Sequence, residues 1–184
     1  AEAAEQGGGR EEAGENKGVH GAIQELFVGK LVNYIECLDV PFAKEWKEDF
    51  YDLSLDVQGC KSLEESLDRF TAPELLSGEN RWRADEHGLQ DARKGVRFTS
   101  FPPVLQFHLK RFEYNPYADR LSKVNDRFSF PMTLDVGKWL QQSAAVLAAG
   151  DGQRGENYRL SGVVMHVGGP SVGHYYAYVR TGPN

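Results

Sequence analysis

The feature that most constrains the fold is a pair of β-prone runs joined by a short glycine-rich loop. The runs are Tyr158–Val167 and His174–Arg180, both dominated by β-branched and aromatic residues. Residues 168–173 between them read GGPSVG, a composition typical of a turn. The pattern predicts two strands joined by this loop, with His174 at the very start of the second strand.

Two more strands are predicted in the first third of the chain, at Leu31–Cys37 and Phe50–Val57. The second alternates strictly and puts its larger apolar residues on one face: Tyr51, Leu53, Leu55 and Val57. Residues 39–49 have the composition of a charged connection. We therefore expect a long antiparallel pair, extended further by residues 89–98.

A short amphipathic helix is predicted at residues 62–70, where apolar residues recur at i, i+4 and i+7. Ser62 is a candidate N-cap, and Glu65 three residues later completes a capping-box pattern. Pro73 ends the helix.

The remaining segments are mostly extended or polar. We predict strands at Gly95–Phe98 and Val104–Phe112 around the Pro102-Pro103 break, a polar turn at 115–120, a short extended segment at 128–131 and a surface insertion at 141–156. Strands outnumber helices, so the predicted fold class is α+β with a largely antiparallel sheet.

Composition narrows the function classes. The formal net charge of -6 argues against a nucleic-acid partner, and no run of about 18 apolar residues indicates a membrane span. Residues 1–18 are polar and glycine-rich, which predicts a disordered tail. With only Cys37 and Cys60, a reducing compartment is expected.

His174 is the candidate catalytic residue. A general base for a thiol needs a rigid support, an open approach and a pKa near working pH, and a histidine opening a strand after a glycine loop can supply them. By spacing alone, however, such a histidine is more often a structural or surface residue.

Four stretches in order resemble the ubiquitin-specific protease family. They are Tyr51–Leu55 with its helix, Pro102–Phe112 (PPVLQFHLKRF), Val124–Pro131 (VNDRFSFP) and Gly173–Tyr178 (GHYYAY). The resemblance implies an incomplete papain-like palm with β-rich fingers over residues 19–184. It also implies hydrolysis of bonds to the C-terminal glycine of ubiquitin.

The resemblance assigns the site residues. His174 matches the catalytic histidine, which activates a cysteine and protonates the leaving amine. Tyr175, His166, Gly173 and Tyr114 are the expected substrate-binding residues. The loops at 115–125 and 168–173 border the channel for the ubiquitin tail. Core packing remains an equal alternative for Tyr175.

Departures from the family pattern concern the nucleophile. The cysteine box and the residue that orients the histidine are absent, and neither Cys37 nor Cys60 fits the nucleophile. We therefore expect this chain alone to be inactive.

The zinc site of many relatives is also incomplete. The four ligand positions here hold Cys37, Val40, Ala84 and His87, too few ligands for a tetrahedral zinc. No metal and no other cofactor are expected.

Three hypotheses remain open: a part of an active deubiquitinase, a non-catalytic ubiquitin-binding module, or a β-rich scaffold unrelated to ubiquitin. The first two take ubiquitin and ubiquitinated proteins as partners, with no nucleic acid and no membrane. The expected location is the cytoplasm, the nucleus or both.

Overall fold

The computed structural model describes residues 15–117, 119–140 and 157–182. Within them the chain is mostly strands with few helices. The helices are α1 (Glu15–Phe27), α2 (Leu63–Thr71) and α3 (Gly137–Leu140), with 3-10 turns at Gly78–Asn80 and Asp85–His87. The strands are β1 (Gly29–Cys37), β2 (Ala43–Phe50), β3 (Leu53–Asp56), β4 (Glu74–Leu76), β5 (Trp82–Arg83), β6 (Leu89–Gln90), β7 (Ala92–Ser100), β8 (Phe107–Lys110), β9 (Phe112–Asn115), β10 (Arg120–Lys123), β11 (Thr133–Asp135), β12 (Asn157–Arg159), β13 (Gly162–Gly168) and β14 (Gly173–Val179).

The largest sheet has four antiparallel strands in the order β2-β1-β7-β4. The predicted addition of a strand from residues 89–98 is confirmed by β7. The predicted partner of β1 is wrong, because β1 pairs with β2, from Gly29 opposite Phe50 to Glu36 opposite Ala43. Residues 39–49 are therefore largely strand and only 38–42 connect the pair.

The segment predicted at Phe50–Val57 is a strand over a shorter range, β3, and its pairing differs from the prediction. It lies parallel to β8, with Leu53 opposite Phe107 and Asp56 opposite Lys110. Its alternation is confirmed at Leu53 and Leu55, which are buried, whereas Tyr51 is 46% exposed. Alternation identified the strand but carries no information on the direction of its neighbour.

The core lies between α2, β3 and one end of the large sheet. Phe98 is fully buried and packs against the rings of Phe50, Phe70 and Phe101, with centroid distances of 4.6–5.8 Å. Leu55, Leu67 and Trp139 complete the cluster. Tertiary burial of this kind stabilises strands and helices that are weak by themselves.

The predicted N-cap of α2 is confirmed, whereas Glu65 bonds the residue before the cap, Lys61, in place of the Ser62 N–H of a capping box. The Ser62 hydroxyl accepts from the backbone N–H of Glu65 at 3.2 Å, and the Glu65 carboxylate accepts from the Lys61 N–H at 2.5 Å. These contacts satisfy backbone donors that the first turn leaves free.

The end of the predicted tail differs from the sequence prediction. α1 begins at Glu15, so the last residues of the predicted tail are helical. Its C-terminal end is held by the Val104 N–H, which donates to the Leu26 carbonyl at 2.9 Å. The predicted insertion at 141–156 and residues 1–14 lie outside the described residues.

Candidate functional site

The candidate site is built on the hairpin of β13 and β14. The predicted loop and second strand are confirmed, whereas the strand predicted at Tyr158–Val167 is two strands, β12 paired with β11 and β13 paired with β14. The register places Val167 opposite His174 and His166 opposite Tyr175. The Gly169 N–H donates to the Val172 carbonyl at 2.9 Å and closes the loop. Gly168 has φ +120°, a conformation that favours glycine.

His174 is the second residue of β14, which begins one position before the predicted start of the strand, and its side chain is exposed. Because side chains alternate across a strand, His174 shares one face of the hairpin with Val167, and Tyr175 shares the other with His166. Within the described ranges the His174 imidazole makes no hydrogen bond. It is therefore open to a partner on its own face.

The opposite face gathers three of the predicted site residues around the His166 ring. The ring centroid lies 4.7 Å from that of Tyr175 and 5.2 Å from that of Phe112, in an edge-on contact. A Cβ added at Gly173 would overlap the His166 ring. Only glycine at position 173 leaves room for the imidazole.

The polar atoms of His166 are unequally satisfied. Its Nδ1 is buried and has no hydrogen-bond partner among the described residues. Its backbone carbonyl accepts from the Lys123 ammonium at 2.9 Å. A buried ring nitrogen without a partner is costly, which makes this ring a candidate for contact with a bound polar group.

Tyr175 and Tyr114 are both accessible in the described part of the chain, at 68% and 58% exposure. Tyr175 is therefore not packed in the core. The Tyr114 hydroxyl donates to the Asp119 carboxylate, and this hydrogen bond raises the pKa of Tyr114. Tyr114 thus lies on β9, where its hydroxyl reaches the β9–β10 turn, and not in the cluster around His166.

Sequence reasoning missed two residues of this region. Lys123 donates to the carbonyls of His166 and Gly168, at 2.9 and 3.0 Å, and Phe112 packs on the His166 ring. Lys123 and Phe112 are opposite each other in the β9–β10 ladder. The alternation of apolar and polar residues in the sequence could not place either residue near the β13–β14 loop, because both contacts join segments more than 40 residues apart.

Neither cysteine has the surroundings of a nucleophile. Cys60 is 5% exposed in the core. Burial, and secondarily the charge of Asp39, raise the pKa of the Cys37 thiol, which is the opposite of activation.

The tip of the large sheet is closed by aromatic contacts. The ring of Phe42 lies 5.5 Å from Trp82 and 5.8 Å from His87, and Ala84 is fully buried beside them. No group of three or more potential ligands for a metal ion occurs in the part of the chain that the structure describes. Each helix in that same part is too short or too polar to cross a bilayer.

The site thus has His174 on a strand beside a glycine loop. The aromatic cluster of His166, Phe112 and Tyr175 lies on the opposite face of the hairpin. Residues 5–184 match the family model for ubiquitin carboxyl-terminal hydrolase. The chain therefore belongs to the ubiquitin carboxyl-terminal hydrolase family.

Relatives agree with this assignment. The chain is 49% identical to ubiquitin C-terminal hydrolase 12 of Arabidopsis thaliana, over 88% of its length. It is 43% identical to ubiquitin carboxyl-terminal hydrolase 15 of Saccharomyces cerevisiae, over 89%, and 41% identical to ubiquitin carboxyl-terminal hydrolase 7 of Drosophila melanogaster, over 88%. It spans only 14% of the length of each of these relatives.

Proposed function

We propose that this chain is part of a deubiquitinase, a thiol-dependent hydrolase that cleaves bonds to the C-terminal glycine of ubiquitin. Within it His174 acts as the general base. The observation that carries the proposal is the position of His174, which is exposed at the second position of β14, next to the glycine loop, in a chain of this family. A rigid strand fixes the imidazole while the glycine loop leaves its approach open.

The chemistry requires a cysteine thiol within reach of His174. The imidazole takes the thiol proton, the thiolate attacks the carbonyl carbon of the ubiquitin C-terminal glycine, and the imidazolium returns the proton to the leaving amine. Neither Cys37 nor Cys60 suits this role. We propose that the nucleophile comes from a cysteine box outside this sequence and that the chain alone does not hydrolyse ubiquitin conjugates.

The substrate contacts are proposed on the other face of the hairpin. His166, Gly173 and Tyr175 lie together on that face, and the exposed Tyr175 ring beside His166 is proposed to contact the extended peptide. Tyr114 on the neighbouring strand β9 is proposed to border the same channel. These contacts fit the flexible ubiquitin tail.

The architecture proposed for residues 19–184 is the fingers and palm of a papain-like protease. The four-stranded sheet supports the fingers, and the core around α2, β3 and β8 supports the palm. Within the family we propose a likeness to the herpesvirus-associated ubiquitin-specific protease, supported by residues 86–92 and 124–128. Two free cysteines support a reducing location, the cytoplasm or nucleus.

A non-catalytic ubiquitin-binding module is the second candidate for the chain by itself. It is favoured by the core position of Cys60 and the raised pKa of Cys37. The two candidates differ in whether the full-length protein hydrolyses a ubiquitin C-terminal reporter.

Binding is tested with the chain itself, by calorimetric titration with ubiquitin and with ubiquitin lacking its last two glycines. We expect weak binding that weakens with added salt, because the net charge of -6 attracts basic surface. Shortened ubiquitin should bind more weakly still. Equal affinity for both ligands would contradict the proposed contacts with the ubiquitin tail. No binding at any salt concentration would contradict ubiquitin as the partner.

A further inference from the structure

The outer edge of β13 is fastened to the β9–β10 hairpin at one point, directly across from His174. Among the described residues β13 pairs only with β14, so its other edge has no strand beside it. Backbone groups on a free edge need other partners or water. Two of the carbonyls on this edge, those of His166 and Gly168, accept from the Lys123 ammonium at 2.9 and 3.0 Å.

The two carbonyls flank Val167, the residue paired with His174. Successive residues of a strand direct their backbone groups to opposite edges, so the carbonyls on either side of Val167 face away from β14. Lys123 therefore holds the short stretch of β13 that carries the partner of His174. The Lys123 side chain is half-buried, which strengthens a hydrogen bond from a charged donor.

A second contact comes from the residue opposite Lys123 in the β9–β10 ladder. Phe112 packs edge-on against the His166 ring at 5.2 Å. His166 is thus held from the same hairpin at its carbonyl and at its ring. Its ring in turn covers Gly173, the residue just before His174.

Resting on the proposed function of His174, we propose that Lys123 is a positioning residue that fixes the catalytic imidazole through the backbone of β13. It touches neither His174 nor the reacting atoms. By joining the end of β10 to the end of β13, it also sets the spacing of the two segments that border the proposed channel.

The first test uses this chain and needs no activity. Amide hydrogen exchange is followed by NMR in Lys123→Met, which keeps the aliphatic stem and loses the donor. Exchange at Gly169 and His174 should accelerate about tenfold or more. Lys30→Met is the matched control, since it also removes one charge and an exposed ion pair with Asp49, and it should leave both amides unchanged.

The second test uses the full-length deubiquitinase and separates positioning from general stability. Lys123→Met should lower kcat for a ubiquitin C-terminal reporter about tenfold, with little change in Tm and a smaller change in KM. Lys123→Arg, which retains a charged donor, should recover most of the loss. If Lys123→Met folds poorly, Lys123→Gln is compared with Lys30→Met in its place.

Unchanged exchange at Gly169 and His174 in Lys123→Met would overturn the proposed link between Lys123 and β13. Faster exchange with an unchanged kcat would overturn the positioning of His174. If instead His174→Ala retained full activity, the proposed function would fail while the exchange result on Lys123 still stood.

Discussion

His166 and His174 project from opposite faces of the β13–β14 hairpin, eight residues apart in sequence and one ladder position apart in register. The two imidazoles therefore cannot both reach one reacting group. His174 is exposed on its face, whereas His166 is packed between Phe112 and Tyr175 on the other. The pair therefore offers a direct comparison of the proposed general base with a proposed substrate-contact residue.

In the full-length enzyme, His174→Ala should lower kcat/KM for a ubiquitin reporter by roughly 10²–10⁴-fold, the usual worth of general acid–base catalysis. His166→Ala should cost much less, because that ring lies on the face away from His174. Steady-state kinetics at equal folded concentration makes the comparison. An inactive His166→Ala variant together with an active His174→Ala variant would show that His174 is not the general base.

Gly173→Ala should destabilise the hairpin because the new methyl group meets the His166 ring and lies 2.6 Å from the Val167 carbonyl oxygen. Overpacking of this kind costs about 1–3 kcal/mol, or roughly 2–12 °C in Tm for a chain of this size. Thermal unfolding measures the shift.

Gly169→Ala is the control, since a Cβ there meets nothing within 4 Å. The double variant His166→Ala/Gly173→Ala should recover part of the loss, because the Val167 contact remains. Equal Tm values for the Gly173 and Gly169 variants would contradict the packing.

Removal of metal should leave the stability of the sheet tip unchanged, because Phe42, Trp82 and His87 close it by ring contacts. EDTA should not shift Tm, and metal analysis should find no stoichiometric zinc. Phe42→Ala should cost about 1–2 kcal/mol, less than a fully buried phenylalanine.

Leu75→Ala is the control for that variant, since Leu75 is 59% exposed on β4 and should matter little. If Tm falls with EDTA and recovers with zinc, a bound metal and not the aromatic contacts stabilises the sheet tip.

Alkylation of Cys37 should be slow at neutral pH. Its pKa is raised by burial and by Asp39, so less of the reactive thiolate is present at a given pH than in the unfolded chain. For a thiol whose pKa is higher in the folded state, the contribution to stability is full below the unfolded pKa. That contribution is lost as pH rises through the folded value.

In a Cys60→Ser background, the iodoacetamide rate of the native chain should therefore rise at a higher pH than that of the denatured chain. Asp39→Asn should move the profile part of the way back. Faster native labelling at pH 7 would contradict both causes of the shift.

The sequence predicted elements whose side chains alternate between core and solvent. Leu53 and Leu55 alternate because one face of β3 is buried, and Ser62 caps α2 through a local contact with Glu65. Features of this kind depend only on residues that are close in sequence, so the sequence predicts them.

The missed strand β2 shows where such patterns end. It is an edge strand exposed along seven of its eight positions, so its sequence has no apolar period. Cross-strand polar contacts stabilise it instead: Lys30 with Asp49 at 2.9 Å, Asn33 with Glu48 at 2.8 Å and Arg97 with Glu45 at 3.0 Å. These partners lie 15–52 residues away in sequence.

The site was predictable to the same extent. The place of His174 after its loop follows from glycine spacing and a β-prone run, and its candidate role follows from the family resemblance. The contact of Lys123 with two backbone carbonyls depends on how two hairpins meet. Every residue has a backbone carbonyl, so the amino-acid sequence does not show which carbonyls accept a hydrogen bond from a distant side chain. Such contacts are visible only in the folded chain.

The parallel pairing of β3 with β8 sets an order of events for a chain growing on the ribosome. The two strands are 54 residues apart at the Ser54–His108 contact, and β4 to β7 are synthesised between them. All four strands of the large sheet therefore leave the ribosome before β8 does. A sheet that pairs early shortens the free loop between β3 and β8, and so lowers the entropy cost of closing the core. Until β8 is synthesised, β3 lacks the strand that pairs with its edge. During this interval the nascent chain most needs protection from aggregation.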